Sequence, residues 1–535
     1  MSEVTESKQA EAGAEGGPVG GRRRWLILIV LCLATLVLVV DNMVLTVAVP
    51  ALTESLHASA QNIQWVLDSY ILVFAGLLLT TGSLSDRFGR RRVLIIGLAV
   101  FGIASAVATL ANNPGELIAA RVAMGVGGAL LMPSTLSILI TVFTDEAERR
   151  KAMAAWTVVA MVGLVGGPVL GGVMISHFWW GSVFLLNIPI AALAIISAVV
   201  LMPESKGPWR KPDPLGTVLS IIGLTSAVWV IIEFPKGFTV PSTLIALVIA
   251  VAALVSFGIW ETRIAEPMVP LQLFKQRNFS GGSFSLTLVQ IGNGGLLLVM
   301  TQYLQFVLGF SALKASLCFI PLAVAALIFN TLGAGLGMKF GNRPLMVVGL
   351  LICAVAFGIL ADLGVDDGLT KLFVGLFLLG AGSGLAMPAA ITAIMGAVPP
   401  EHAGVSSALN DTVQQTGAAL GVAIMGTVVA SRFTAGMPAK YVGTARHSLG
   451  EAYGIAKTTG DSALLDSARH AFTHAASVAY IAGAVGVVAA AIVSFVVLRD
   501  VKPPTAPADG ADEGAGEGAG PVVGDDIATG ATVAL

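Results

Sequence analysis

The stretch Gly125-Val-Gly-Gly-Ala-Leu-Leu-Met-Pro133 returns as Gly380-Ala-Gly-Ser-Gly-Leu-Ala-Met-Pro388, at an offset of 255 residues. Phe88-Gly89-Arg90-Arg91 returns as Phe340-Gly341-Asn342-Arg343, at an offset of 252. One such match arises readily in a chain with 62 glycines, but two in register argue for a duplicated unit. Both echoes sit at or within long apolar runs. These runs fall at 25–50, 64–84, 92–111, 116–140, 152–175, 182–202, 214–232, 241–260, 280–306, 312–333, 344–362, 371–397, 405–430 and 471–498, fourteen in all. A bilayer core of about 30 Å takes roughly 20 helical residues to cross, so each run is read as a spanning helix. Strand barrels are excluded because the runs are continuous rather than alternating. The first run is too long for a signal-peptide core and lacks a small-residue cleavage site, so it is expected to be retained.

The echoes pair spans 1–6 with spans 9–14. The expected fold is therefore an all-α polytopic membrane protein of two six-helix bundles, with spans 7 and 8 inserted as a hairpin. The bundles cover 25–202 and 279–498, and the linker 203–278 holds the hairpin 214–260. Residues 1–24 and 499–535 are rich in Gly, Ala, Glu and Asp and are expected to be disordered tails. The long 431–470 loop is read either as a plain connector or as carrying a short amphipathic helix around Leu464 to Phe472. Repeats of this kind are a common plan for transporters, with substrate held between them near the midplane.

Composition agrees. Apolar residues make up 56% of the 535 and charged residues 12%, the latter about half the share of a soluble protein. That excludes soluble enzymes, nucleic-acid binders and disordered scaffolds. Cys32, Cys318 and Cys353 lie apart in apolar runs, so no Cys-based metal cluster is expected. With the N-terminus inside, 21 of the 30 Lys and Arg residues fall in inside segments. The positive-inside rule then places both termini in the cytoplasm and the chain in the cytoplasmic membrane.

The loop after span 2 reads Gly82-Ser-Leu-Ser-Asp86-Arg87-Phe88-Gly89-Arg90-Arg91-Arg92. Gly82 would let backbones approach closely, and Gly89 would permit a sharp turn. Asp86 is placed to accept from arginines or from a neighbouring helix's N-terminal amides. The eleven-residue string resembles the signature loop of the major facilitator superfamily. Span 1 adds Asp41-Asn-Met-Val-Leu-Thr-Val-Ala-Val-Pro50, span 4 adds Arg121-Val-Ala-Met-Gly125, and span 5 adds Gly163-Leu-Val-Gly-Gly167-Pro168-Val-Leu-Gly171-Gly172. The last string resembles the Gly-Pro signature of that superfamily's antiporters. With fourteen spans, the chain resembles the drug:proton antiporters of the 14-helix type over about residues 25–500. The second-half loop departs from the pattern, with Met338-Lys339 where an Asp is expected.

Pro168 removes a helix hydrogen bond and is expected to kink span 5. Gly163, Gly167 and Gly171 share one face and allow close packing there. A charge near the centre of a span costs roughly 2.5–3.5 kcal/mol on insertion scales, so each one needs a reason. Asp41, Asp68 and Arg121 all fall in the outer half of their spans. A long Arg side chain can reach the depth of Asp41, so an Asp41–Arg121 pair is expected. Asp41 is read as the proton-coupling carboxylate tuned by Arg121, against the alternative of a structural ion pair. The resemblance supports both assignments. Asp68 is read as a second acid drawing cationic drug, against a residue reaching interfacial water. Asp411 shares span 13 with Asn410, Gln414 and Gln415, a set too polar for a lipid face and read as lining the cavity. Tyr70 and Trp156 lie deep enough to offer ring faces to a lipophilic cation.

The resulting reading is a proton-coupled antiporter that exports lipophilic, often cationic drugs by alternating access. Its partners would be a small-molecule drug, protons and the bilayer, with no nucleic acid, acting as a monomer. No metal or cofactor is implied, and no Gly-Lys-Ser/Thr phosphate loop occurs, so the driving force is a proton gradient. A dedicated exporter of one antibiotic or metabolite is the nearest alternative. A membrane transferase would need a clustered His/Asp/Glu loop site, and a channel would not need the Gly-Pro string.

Overall fold

The computed structural model describes residues 21–207, 212–234, 240–269, 271–396, 403–441 and 443–498. The expected tails therefore lie outside it, except that residues 21–24 are helical rather than disordered. They extend the first helix, α1 (Gly21–Leu56), and Arg24 there pairs with Glu148 at 2.7 Å. In a bilayer the backbone can satisfy its polar groups only within helices or closed barrels, and these unbroken apolar runs take the first route. The remaining helices are α2 (Ala60–Phe88), α3 (Arg90–Thr109), α4 (Pro114–Val142), α5 (Glu146–His177) and α6 (Ser182–Leu201). The inserted hairpin is α7 (Pro214–Glu233) and α8 (Pro241–Glu261). The second bundle holds α9 (Arg277–Val307), α10 (Ile320–Phe340), α11 (Asn342–Ala361), α12 (Leu369–Gly396) and α13 (Ala403–Gly436). A short α14 (Leu449–Thr459) and a long α15 (Ser462–Val497) close it.

Among the described residues, twelve helices are long and apolar enough to cross a membrane, or thirteen with α2, which is bent by 57° between Leu78 and Thr80. The expected count of fourteen also includes α5, of which the described residues give only the shorter apolar stretch Lys151–Ala160. The helix in the long outer loop is α14, not the stretch from Leu464 to Phe472, which belongs to α15.

Side-chain caps set several helix starts. Ser59, Asn113, Asp145, Asp213 and Asp461 each accept from a first-turn amide, which satisfies one of the donors a helix leaves open. The duplication reappears in three dimensions. Gly89 (φ +108°) joins α2 to α3, and its echo Gly341 (φ +89°) joins α10 to α11, both in a backbone region that favours glycine. Gly127 of α4 lies against Gly97 and Phe101 of α3, and Gly382 of α12 against Gly349 and Cys353 of α11.

Three apolar cores follow from this packing. One joins α1–α6 through residues such as Leu31, Phe101 and Phe184. A second joins α9–α15 through Met346, Phe357 and Phe472. A third, small core unites Leu72 of α2, Val228 and Ile232 of α7, and Ala419 and Ala423 of α13. The inserted hairpin thus seals a seam between the two bundles, while α8 turns Leu244, Val248, Val251 and Val255 outward.

Candidate functional site

Asp41 is the acid in the middle of α1, whose other acid, Glu54, lies in its last turn; Asp41 faces inward, 3% exposed. Its Oδ2 accepts from Arg121 Nη1 of α4 at 2.5 Å, and its Oδ1 accepts from Asn187 Nδ2 of α6 at 2.8 Å. Asn187 also reaches Ser105 Oγ of α3 at 3.3 Å. Arg121 Nε donates to the Val66 carbonyl of α2 at 3.3 Å, and its guanidinium lies 4.3 Å from the centre of the Tyr70 ring. Burying two opposite charges costs several kcal/mol per ion, recovered only when the remaining donors and acceptors are also met. Here both carboxylate oxygens are met, so the pair is a stable element of the first bundle. The expected Asp41–Arg121 contact is present. Asn187 and Ser105 escaped the sequence reading, although a lone amide inside Leu185-Leu-Asn-Ile-Pro-Ile190 was a usable signal.

Asp68 is placed differently. It is fully buried, and neither carboxylate oxygen has a hydrogen-bond partner among the described residues. It lies one helical turn from both Gln64 and Leu72 on α2, hence on the same face. Gln64 donates to the Ala423 carbonyl of α13 at 3.4 Å, and Leu72 belongs to the core shared with α7 and α13. Asp68 therefore sits at the seam between bundles, not at the water interface.

Other predicted residues are distributed more widely. Tyr70 is buried beneath Arg121 and stacked on Phe74, so its ring is already occupied by a cation of the protein itself. Trp156 of α5 donates to Thr35 Oγ1 of α1 at 2.8 Å. Asp411 accepts from Asn410 at 3.2 Å, and Gln414 and Gln415 are half-buried on the same helix. Across from them on α9, Asn293 donates to Gln290 at 3.4 Å; the sequence reading passed over this polar pair.

The 82–92 loop is built as a turn around Gly89. Asp86 Oδ1 accepts from Arg90 at 2.8 Å, and the Arg87 guanidinium rests on the Phe88 ring at 5.1 Å. Gly82 meets Pro133 only at ordinary van der Waals distance, so the close backbone approach expected there is absent. The unforeseen element is the segment after α6. Glu204 accepts from the Arg91 amide at 3.0 Å and lies 3.5 Å from Arg92, placing a negative charge at the N-terminus of α3. Arg91 Nη1 donates to the Met202 carbonyl at 2.8 Å, and the Arg90 amide to Ser205 at 2.9 Å.

In α5, Pro168 lies inside the helix Glu146–His177. Gly163, Gly167 and Gly171 form the expected close-packing face, against Leu36, Val39, Met43 and Val44 of α1. Gly172 looks the other way, across to the second bundle: a Cβ there would fall 2.7 Å from Leu313 Cα and 2.6 Å from Ser316 Oγ. Gln305 Nε2 reaches the Val47 carbonyl at 3.0 Å, and Thr53 packs on Gly450. These contacts close the end of the molecule opposite the 82–92 loop. The crevice left there, lined by Thr53, Gln64, Gln302 and His447, is about 40 Å³, far short of the roughly 300 Å³ that a drug-sized ligand needs.

Two helical bundles related by an internal repeat and closed against each other at one end define a multi-pass membrane transporter. The chain belongs to the Major Facilitator Superfamily, whose family model matches residues 31–422. It is 34% identical to the multidrug efflux pump LfrA of Mycolicibacterium smegmatis, over 91% of this chain and 99% of that protein. It is 33% identical to the methyl viologen resistance protein SmvA of Salmonella typhimurium, over 85% and 94% of the respective chains. The puromycin resistance protein pur8 of Streptomyces alboniger is 34% identical over 94% and 96%. A bacterial homolog of the human lysosomal transporter Spinster, solved inward-facing and unoccupied, shares the fold with a TM-score of 0.65 at 20% identity, over 89% of this chain and 97% of that one.

Proposed function

We propose that this protein exports lipophilic, often cationic drugs or antibiotics across the cytoplasmic membrane in exchange for protons. Two bundles rock about a central site, both termini lie in the cytoplasm, and one chain suffices. The observation that carries the reading is the pair of membrane-buried acids in different surroundings: Asp41 fully partnered inside one bundle, and Asp68 unpartnered where the bundles meet. Asp41 is the coupling carboxylate, with Arg121 setting its protonation. Asp68 offers the negative charge that a cation seeks. The polar face of Asp411, Gln414 and Gln415 lines the path in the second bundle. A membrane potential supplies roughly 2.3 kcal/mol per charge per 100 mV, so a proton gradient drives export with no cofactor.

The test is ethidium efflux from vesicles holding the full-length chain. Efflux is expected to start on imposing a pH gradient and to stop when an ionophore collapses it. Gradient-independent efflux overturns the proton coupling. A narrower reading, export of a single compound, draws on relatives named for one antibiotic each, such as the tetracenomycin C resistance and export protein of Streptomyces glaucescens. Resistance of expressing cells to one compound alone decides for it.

A further inference from the structure

The inserted hairpin has a built foot on the side of the 82–92 loop. Asp213 caps α7: its Oδ1 accepts from the Gly216 amide at 2.9 Å, and both its oxygens accept from Trp260 Nε1 of α8, at 2.9 and 3.0 Å. Glu261, the last residue of α8, accepts from the Val269 amide through Oε2 at 3.0 Å. Each acid is 3% exposed. Among the described residues no donor reaches Glu261 Oε1, which is buried. That oxygen points at Asp213: a Cβ placed on Gly216 would meet both Asp213 Oδ2 and Glu261 Oε1, the latter at 3.0 Å.

The same foot grips α2. Thr217, one turn after Asp213, donates to the Asp213 carbonyl at 2.7 Å and is in hydrogen-bond contact with Thr80. Met268 Sδ lies 3.5 Å from the Thr80 hydroxyl and 3.4 Å from that of Thr217. Thr80 is the first residue beyond the 57° bend of α2, and the arm it starts leads into Gly82 and Asp86. The hairpin is thus fastened to the joint that carries the loop.

We propose that Asp213 and Glu261 hold one proton between them, and that this proton keeps the foot of the hairpin clasped to the bend of α2. With the proton present, Glu261 Oε1 donates to Asp213 Oδ2 and every buried polar atom at the foot is met. Without it, two carboxylates face each other in a site where like charges cannot both be held. The connector carries Arg263 and Glu266, both exposed, and α2 presents the uncharged Thr80. Arg210 and Lys211, just before Asp213, lie outside the described residues. The hairpin is then a proton-sensitive clasp, whichever compound the transporter carries.

The test uses the full-length protein in lipid nanodiscs, without drug. Infrared spectra across a pH series follow the protonated-carboxyl band. Spin labels at the exposed positions Thr262→Cys and Ile96→Cys follow the distance from hairpin foot to first bundle. In the native background, raising the pH is expected to remove part of the band and to add a second, longer distance population. Glu261→Gln, which supplies a permanent donor in place of the proton, is expected to remove that part of the band and hold the single short distance at every pH. Asp213→Asn is expected to do the same from the other side. A native distance that ignores pH overturns the proposal, as does a pH response that survives unchanged in both variants.

Discussion

Replacing Arg121 by Gln removes the cation from a carboxylate whose side chain, like that of Arg121, is 1% exposed. Asp41 keeps its 2.8 Å bond from Asn187 but loses the 2.5 Å charged bond. Breaking a buried pair from one side costs about 3–5 kcal/mol, because the partner charge is left uncompensated. Arg121→Gln should therefore lose about that much, a factor of roughly 10²–10⁴ in the folding equilibrium. Asp41→Asn should lose less, since Arg121 keeps the Val66 carbonyl and the Tyr70 ring. The double variant puts two amides side by side and should recover most of the loss, giving a coupling of at least about 2 kcal/mol in a double-mutant cycle. The assay is thermal or denaturant unfolding in detergent, run beside ethidium efflux under a pH gradient. A double variant that folds normally yet exports nothing on a pH gradient supports Asp41 as the proton carrier. One that folds normally and still exports refutes it and leaves a structural pair. Single variants within about 1 kcal/mol of native would refute the burial argument itself.

Gly172→Leu should prop open the end that the bundles close, because the Leu313 Cα and Ala312 carbonyl it meets are backbone and cannot yield. Overpacking of about 1–3 kcal/mol translates to a shift of roughly 5- to 150-fold toward the open form. It would be read as faster outside labelling of Gln305→Cys, with Gly166→Leu as the unaffected control since nothing lies within 4 Å of Gly166. Asp68→Leu removes a buried acid without partners and should raise the stability of the drug-free protein by about 1–3 kcal/mol. Calorimetric titration should show cationic drug binding weakened in the same variant. Tyr70→Leu withdraws the ring beneath Arg121 and should destabilise by about 2 kcal/mol. It should also shift the pH profile of efflux, although the acid itself is untouched.

Much of this architecture is legible in the residues. Apolar runs fix the helices because a bilayer offers the backbone no other partner, and the echo of Gly89 in Gly341 foretold matching turns. Asp41 and Arg121 were legible because charges inside apolar runs must find each other. Asn187 left a weaker signal, a lone amide in an apolar run, and Ser105 left none, since a small hydroxyl can bond within its own helix. Glu204 escaped for another reason: an acid between spans reads as a solvated charge until the chain is seen to pass beneath the start of α3. Asp68 reads in the sequence as a second acid drawing cationic drug, but its place at the seam was not legible there, because depth is counted along one helix and the hairpin beside it is an insertion whose docking side no periodicity reveals. The 57° bend of α2 was not legible, since no proline marks it.

The partners of Asp41 constrain how it can take part in alternating access. Arg121, Asn187, Val66 and Tyr70 belong to α4, α6 and α2, which share one core with the α1 that carries Asp41, so a rigid swing of one bundle against the other leaves that site unchanged. The surroundings of Asp68 come from both bundles and the hairpin and must change as soon as the seam parts. The helix common to both acids is α2, which presents the Val66 carbonyl and Tyr70 ring to Arg121 and carries Asp68 between them in sequence. It is also the helix that bends, at the joint gripped by the hairpin. Coupling of the seam to the buried pair therefore requires α2 to move within its own bundle: a turn or shift of α2 that relieves Asp68 displaces the Val66 carbonyl and the Tyr70 ring, and so alters the hold of Arg121 on Asp41.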